Sequence, residues 1–226
     1  MDAVSENPIL TPEQKIFLAR FAASELRDSY YLTGGTALAA FHLRHRYSDD
    51  LDLFTEDEVS IEPVMAFVRG LPGFRQVSFQ HKFDRRIFLL DFERAASLKV
   101  EFTRYPFSRL DSGTVAGGIT VDSLRDILAN KLAAMTERQD VKDYVDIYCA
   151  AMLPGGFDIR ALVQDAESKF GIRGIGYVLA GRFLQGPVST STLRMREPIS
   201  DAELRQFFLE TARIWIAKSV DDSDHV

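Results

Sequence analysis

Cysteine is nearly absent from this chain: one residue, Cys149, in 226. A lone thiol excludes an intrachain disulfide framework. Its place in an apolar helical pattern predicts a buried small hydrophobe rather than a reactive group. No apolar run reaches the ~18 residues of a membrane span, so no membrane partner is expected. The opening Met1-Asp2-Ala3-Val4-Ser5-Glu6 lacks the basic-then-apolar plan of a signal peptide. Together these features predict a soluble protein of the reducing cytoplasm. Basic charge is also short, with 27 Lys and Arg against 33 Asp and Glu and a formal net charge of -6. That excludes a broad basic face for duplex nucleic acid as a property of the whole chain and leaves a local basic groove open. Internal repeats and low-complexity stretches are missing. No Gly-x-x-x-x-Gly-Lys-[Ser/Thr] run is present, which argues against P-loop chemistry. Neither His42 nor His45 pairs with a cysteine or another histidine at zinc spacing.

What is present suffices for one domain with a sizeable core or for two small ones: 46% of residues are hydrophobic and 27% charged. Thr11, Pro12 and Gln14 mark a capped helix start, followed by Phe17, Leu18, Phe21 and Ala22 at helical spacing. Residues 30–32 read as a short strand ended by Gly34-Gly35, 36–44 as a helix, 50–54 as a strand and 60–69 as a helix. Strands are predicted at 74–80, 86–93 and 97–104, with a fourth through Ile119 and Val121. After Asp122 the strand signal disappears. Leu124, Ile127, Leu128, Lys131, Leu132 and Met135 form one helical stripe. Further helices are expected near 140–152, 158–169, 174–185 and 200–218, the last opened by a Ser200/Glu203 capping box, with residues 221–224 as a frayed tail. The fold class is α+β, with a mixed α/β core over 1–121 and a helical lobe over 122–226. A cleft between two such lobes is a natural ligand site.

The chemistry is concentrated in Ser48-Asp49-Asp50-Leu51-Asp52-Leu53-Phe54. Alternation along a strand puts Asp50 and Asp52 on one face and Leu51 and Leu53 on the other. Two neighbouring carboxylates repel, and a divalent cation removes the conflict; hard oxygen ligands suit magnesium. The alternative is a solvated acidic turn, and Asp49 reads as a surface or capping residue. Upstream, Gly34-Gly35-Thr36 joins a strand to a helix. Paired glycines permit close backbone approach, the helix start offers free N–H groups to phosphate, and Thr36 can add a hydroxyl or cap the helix. On the strand at 97–104, Lys99, Glu101 and Thr103 share the polar face. Glu101 either completes a metal site with Asp50 and Asp52 or forms an ordinary cross-strand ion pair. Arg46 is a candidate anion clamp, and His45 either a base or a structural hydrogen-bonding residue. Farther on, Lys142, Asp143 and Asp146 can share one helix face. They form either a solvated salt-bridged face or, with Lys131, part of a nucleotide site; the residues alone leave both open.

Gly34-Gly35-Thr36 followed by His45-Arg46-Tyr47-Ser48-Asp49-Asp50-Leu51-Asp52-Leu53-Phe54 resembles the motifs of the AbiEii-type nucleotidyltransferases, the toxin half of many bacterial toxin–antitoxin pairs. Lys131 and Lys142-Asp143-x-x-Asp146 resemble the downstream motifs, and the similarity spans about residues 30–150. The resemblance implies a nucleotidyltransferase-like mixed sheet with flanking helices and a helical C-terminal lobe. It implies magnesium, a nucleoside triphosphate, an RNA or protein acceptor and a cognate antitoxin. By similarity, Asp50 and Asp52 hold metal and Asp143 is catalytic. Gly34, Gly35, Thr36, Arg46, Ser48 and Lys131 bind the nucleotide, with Lys131 and Asp143 facing the glycine turn. Glu101 stands where many relatives have a third aspartate. The competing expectations are a non-catalytic nucleotide- or partner-binding module on the same fold and a kinase-like phosphoryl-transfer enzyme.

Overall fold

Thr11 caps the first helix, α1 (Pro12–Ala22), through the reciprocal box that its sequence predicts. Gln14 N donates to Thr11 Oγ1, and Thr11 N donates to Gln14 Oε1. Gln14 is buried, and its Nε2 donates to the carbonyls of Ser48 and Asp49 at 2.8 and 3.1 Å. The helix cap thus anchors the segment that enters the carboxylate strand. The protein is known from a computed structural model, which describes residues 3–93, 95–187 and 189–223. Met1 and Asp2 of the opening segment and Asp224 of the acidic tail lie outside the described residues.

The chain divides into two compact units, residues 1–127 and 128–226. The first holds α1, β1 (Tyr31–Thr33), α2 (Gly34–Ala37), β2 (Leu51–Thr55), α3 (Ile61–Arg69) and the strands β3 (Phe74–Lys82), β4 (Arg85–Phe92), β5 (Ala95–Arg104), β6 (Thr114–Ala116) and β7 (Ile119–Val121). They form one seven-stranded mixed sheet in the order β3-β4-β5-β2-β1-β7-β6. β2 is central, antiparallel to β1 and parallel to β5. Its burial alternates as its sequence requires, with Leu51 and Leu53 fully buried. On the core face Phe102 meets Phe88, Tyr30 and Phe17 at centroid distances of 5.7, 5.1 and 6.5 Å. Phe17 in turn packs edge-on to Phe67 of α3. Aromatic edge-to-face contacts of this kind add to the burial of large apolar area.

Two features of the first unit differ from the sequence expectation, and residues 221–223, expected in a frayed tail, are helical. The helix expected over 36–44 begins at Gly34 and widens into a π turn over Leu38–Leu43, closed by Arg44 at φ 54°. Such i→i+5 turns depend on tertiary contacts and leave no periodic signature. β6 was not expected; its three residues are too short and too exposed to show alternation.

The helices that follow are α4 (Leu124–Glu137), α5 (Val141–Ala151), α6 (Ile159–Phe170), α7 (Ile175–Gln185) and α8 (Asp201–Ser223). The first turn of α4 falls within the first unit. Buried Asp126 accepts from the N–H groups of Leu110 and Asp111 and from Ser123 Oγ. The second unit has its own aromatic core, in which Tyr144, Phe183 and Phe208 meet at 4.7–6.2 Å between centroids. Ser200 Oγ caps α8 by accepting from Glu203 N, while the Glu203 carboxylate takes the Tyr148 hydroxyl. Cys149 on α5 is only half-buried, contrary to the expectation of a core residue, because it lies between the buried stripe and the outer face.

Phe102→Ala removes the ring on which three aromatic contacts converge. It is expected to cost about 3–5 kcal/mol, read as a lower urea midpoint at unchanged m-value.

Candidate active site

The turn from β1 into α2 is built for close approach. Gly34 has φ +70°, a conformation that side chains rarely adopt. A Cβ there would lie 2.9 Å from Asp52 Cγ and closer still to Oδ2. The Asp52 carboxylate therefore lies directly over the Gly34 backbone, from β2, whose register places it opposite Thr33. A Cβ on Gly35 would lie 2.9 Å from Ser48 Oγ and 3.0 Å from Arg46 Nη2. Arg46 is 3% exposed, and its Nη1 donates to the Tyr47 carbonyl at 3.1 Å. Gly34, Gly35, Arg46, Ser48 and Asp52 thus form one cluster.

Thr36 is buried, and its hydroxyl donates to the Asp50 carbonyl, so it fastens the helix start to the strand start. Asp49 is exposed, as expected. His45 is half-buried next to Arg46. His42 bonds through Nε2 to the Asp122 carbonyl at 2.9 Å, and burial lowers its basicity more than this bond restores it. Thr33 Oγ1 donates to Asp122 Oδ2 at 2.8 Å, a second tie between the turn and the start of α4.

Beside Asp52, the parallel register sets Glu101 on β5. Glu101 is 3% exposed, and both its oxygens meet cations. Arg85 binds Oε2 through Nε at 2.7 Å and through Nη2, and Lys99 Nζ lies 2.8 Å from Oε1. Lys99 Nζ also donates to Asp50 Oδ2 at 2.8 Å. Burial alone would raise the Glu101 carboxyl, but hydrogen bonds from Lys99 and Arg85 outweigh it and hold the group below its usual range. Burial opposes the charge on Lys99 too, and the bonds to Asp50 and Glu101 overcome it, so its ammonium stays protonated. The shared-face alternation of β5 carried Lys99 as a signal. Arg85 carried none, because its position depends on the β4–β5 register. Among the described residues no three carboxylate, imidazole or thiol groups already converge on one point at metal distance. Asp50 and Asp52 themselves fit a hard divalent cation: both are carboxylates, part-exposed, and beside a turn that leaves no room for a side chain.

The second unit carries a buried charge cluster. Asp143 and Asp146 on α5 are fully buried, and Lys131 of α4 bridges them at 2.9 and 2.6 Å. Arg138 closes on Asp143 Oδ2 at 2.9 Å. Lys142 pairs with Asp140 on the exposed side. The solvated face allowed by the spacing is therefore absent at Asp143 and Asp146, which point inward.

The chain thus sets a glycine strand-to-helix turn under an Asp-x-Asp strand on a mixed sheet. The fold is shared with a candidate nucleotidyltransferase from H. pylori, at 17% identity, TM-score 0.61 and coverage of 92% of this chain and 97% of that one. It is also shared with the nucleotidyltransferase toxin MenT4 from Mycobacterium tuberculosis H37Rv, at 18% identity, TM-score 0.57 and coverage of 90% and 85%. In sequence, the protein aq_aa25 of Aquifex aeolicus (strain VF5), itself uncharacterised, is 30% identical over 165 residues, covering 71% of this chain and 76% of that protein. Residues 16–214 match the family of the nucleotidyl transferase AbiEii toxin of type IV toxin–antitoxin systems, and the chain belongs to that family. It is a nucleotidyltransferase enzyme. Among the described residues no helix is long and apolar enough to cross a membrane.

Two outcomes are expected. Gly34→Ala forces a Cβ against Asp52 and a side chain into positive φ, so nucleotide transfer should fall on the order of tenfold or more while circular dichroism stays native. Lys131→Met leaves two buried carboxylates without their bridge. It should destabilise the protein by about 3–5 kcal/mol, measured by chemical denaturation; an unchanged midpoint would show that the cluster is not electrostatically tight.

Proposed function

We propose that the chain moves a nucleoside monophosphate from a nucleoside triphosphate to an acceptor hydroxyl on RNA or protein, as the cytoplasmic toxin of a toxin–antitoxin pair with a cognate antitoxin. The observation that carries this reading is the Asp52 carboxylate seated over Gly34, with Arg46 and Ser48 behind Gly35. Asp50 and Asp52 are the residues that would hold a magnesium ion. Glu101 adjoins Asp52 as a third carboxylate, held by Arg85 and Lys99. Magnesium typically takes one or two protein carboxylates plus substrate phosphates, so three preassembled ligands are not required. When bound, the ion supplies Lewis acidity and neutralises charge at the reacting phosphate.

The chain's own groups do the rest. Backbone N–H groups at Gly34 and Gly35, which carry no side chain of their own, meet phosphate oxygens at a helix start. Arg46, fixed by burial and by the Tyr47 carbonyl, supplies a cation that needs little reorganisation. The acceptor oxygen attacks the α-phosphorus, its bond to the bridging oxygen breaks, and pyrophosphate leaves. By family resemblance, Lys131 contacts the nucleotide and Asp143 is catalytic. Both residues lie in the buried ion-pair cluster of the second unit, Lys131 with Asp143 and Asp146, and Asp143 also with Arg138.

Asp52→Asn is nearly isosteric and removes one charge from the carboxylate row. Transfer of labelled nucleotide to total RNA or protein should fall on the order of 100-fold or more. The apo melting temperature should not drop, since repulsion is relieved. Wild type should gain about 2.7 kcal/mol at a hundredfold excess of magnesium–triphosphate over Kd, and the mutant less. Transfer at the wild-type rate would remove Asp52 from the mechanism.

A further inference from the structure

The β3–β4 hairpin ends in a residue that no packing argument explains. Phe83 is 86% exposed, and it sits at φ 51°, where a bulky side chain is strained and glycine is the usual occupant. The strain is held in place from both strands. Arg86 Nη1 donates to the Phe83 carbonyl at 2.8 Å, and His81 Nε2 lies 2.7 Å from the same oxygen. The next carbonyl, Asp84 O, accepts from Arg104 N of β5 at 3.0 Å. A non-glycine residue whose backbone is kept at positive φ by such contacts presents its ring to solvent.

Around the ring, residues 81–86 carry Lys82, Arg85 and Arg86 against one carboxylate, Asp84, in a chain of net charge -6. An exposed aromatic face with cations on either side matches the alternating base and phosphate of a single-stranded nucleic acid. A base needs only a flat aromatic face for stacking. The tip is also continuous with the reaction site. Arg85 reaches back to Glu101, which adjoins Asp52 in register and shares Lys99 with Asp50. Phe83 lies four residues from Ile87, the β4 partner of Glu101. Arg85, where β4 begins, is two residues from Ile87, about 7 Å along the strand.

We propose that the β3–β4 tip docks the acceptor as single-stranded RNA, with a base stacked on Phe83 and the flanking phosphates on Lys82 and Arg86. This rests on the transfer reading and names the acceptor class for it. The test is fluorescence anisotropy of the full chain with a short 5′-labelled single-stranded RNA. Phe83→Gly and Phe83→Asn both tolerate positive φ, so each should melt no lower than wild type and bind RNA about tenfold more weakly. Phe83→Tyr should bind like wild type. Lys82→Gln should weaken binding for every sequence and reduce the salt slope by about one. RNA affinity unchanged in both Phe83→Gly and Phe83→Asn, equal loss in Phe83→Tyr, or a wild type that labels only protein and does not bind RNA would each overturn the proposal. A thermal shift with magnesium–triphosphate, run on the same samples, separates the two claims: its absence in wild type defeats the transfer reading, and its persistence beside lost RNA binding defeats only the docking one.

Discussion

Repulsion among carboxylates is the constraint that the rest of the site answers. Asp50 and Asp52 share one face of the chain at β2, and the parallel register brings Glu101 beside Asp52. The protein meets part of that charge from within. Lys99 bridges Asp50 and Glu101, and Arg85 takes the outer oxygen of Glu101. Asp52 lies instead against the glycine turn. The cations of β4 and β5 therefore pair the apo carboxylates in part, and a metal ion would add the remaining positive charge.

That arrangement depends on packing remote from the chemistry. The burial of Leu51 and Leu53 forces their neighbours Asp50 and Asp52 outward. Gln14 holds the segment just before them, and Thr36 ties the helix start to the Asp50 carbonyl. The Thr33 and His42 bonds to Asp122 carry the same turn to the start of α4. Loosening any of these moves a carboxylate relative to Gly34, and small displacements of this kind are costly in phosphoryl transfer.

Burial sorts the remaining charges by strength. The ion pairs at Lys99 and Arg85 are part-exposed and individually modest, whereas those at Lys131, Asp143 and Asp146 are enclosed, so losing one partner there strands a charge away from water. The second unit is thus held by an electrostatic cluster beside its aromatic core, although its sequence permitted an ordinary solvated helix face.

Periodicity and local chemistry determined much of this protein. The α1 cap, the β2 alternation, the strands β3 to β5 and the later helices follow from side-chain spacing that acts over a few residues. The Gly-Gly turn and the Asp-x-Asp pair were legible for the same reason. Tertiary structure alone decided what depends on register and long-range contact. It set Glu101 beside Asp52, turned Lys99 into a bridge, brought Arg85 to Glu101 from another strand and directed Asp143 and Asp146 inward. It also widened the helix after Ala37 into a π turn and held Phe83 at a positive φ. A local sequence pattern specifies which face a residue occupies, but its partners across that face are fixed only when distant strands and helices meet.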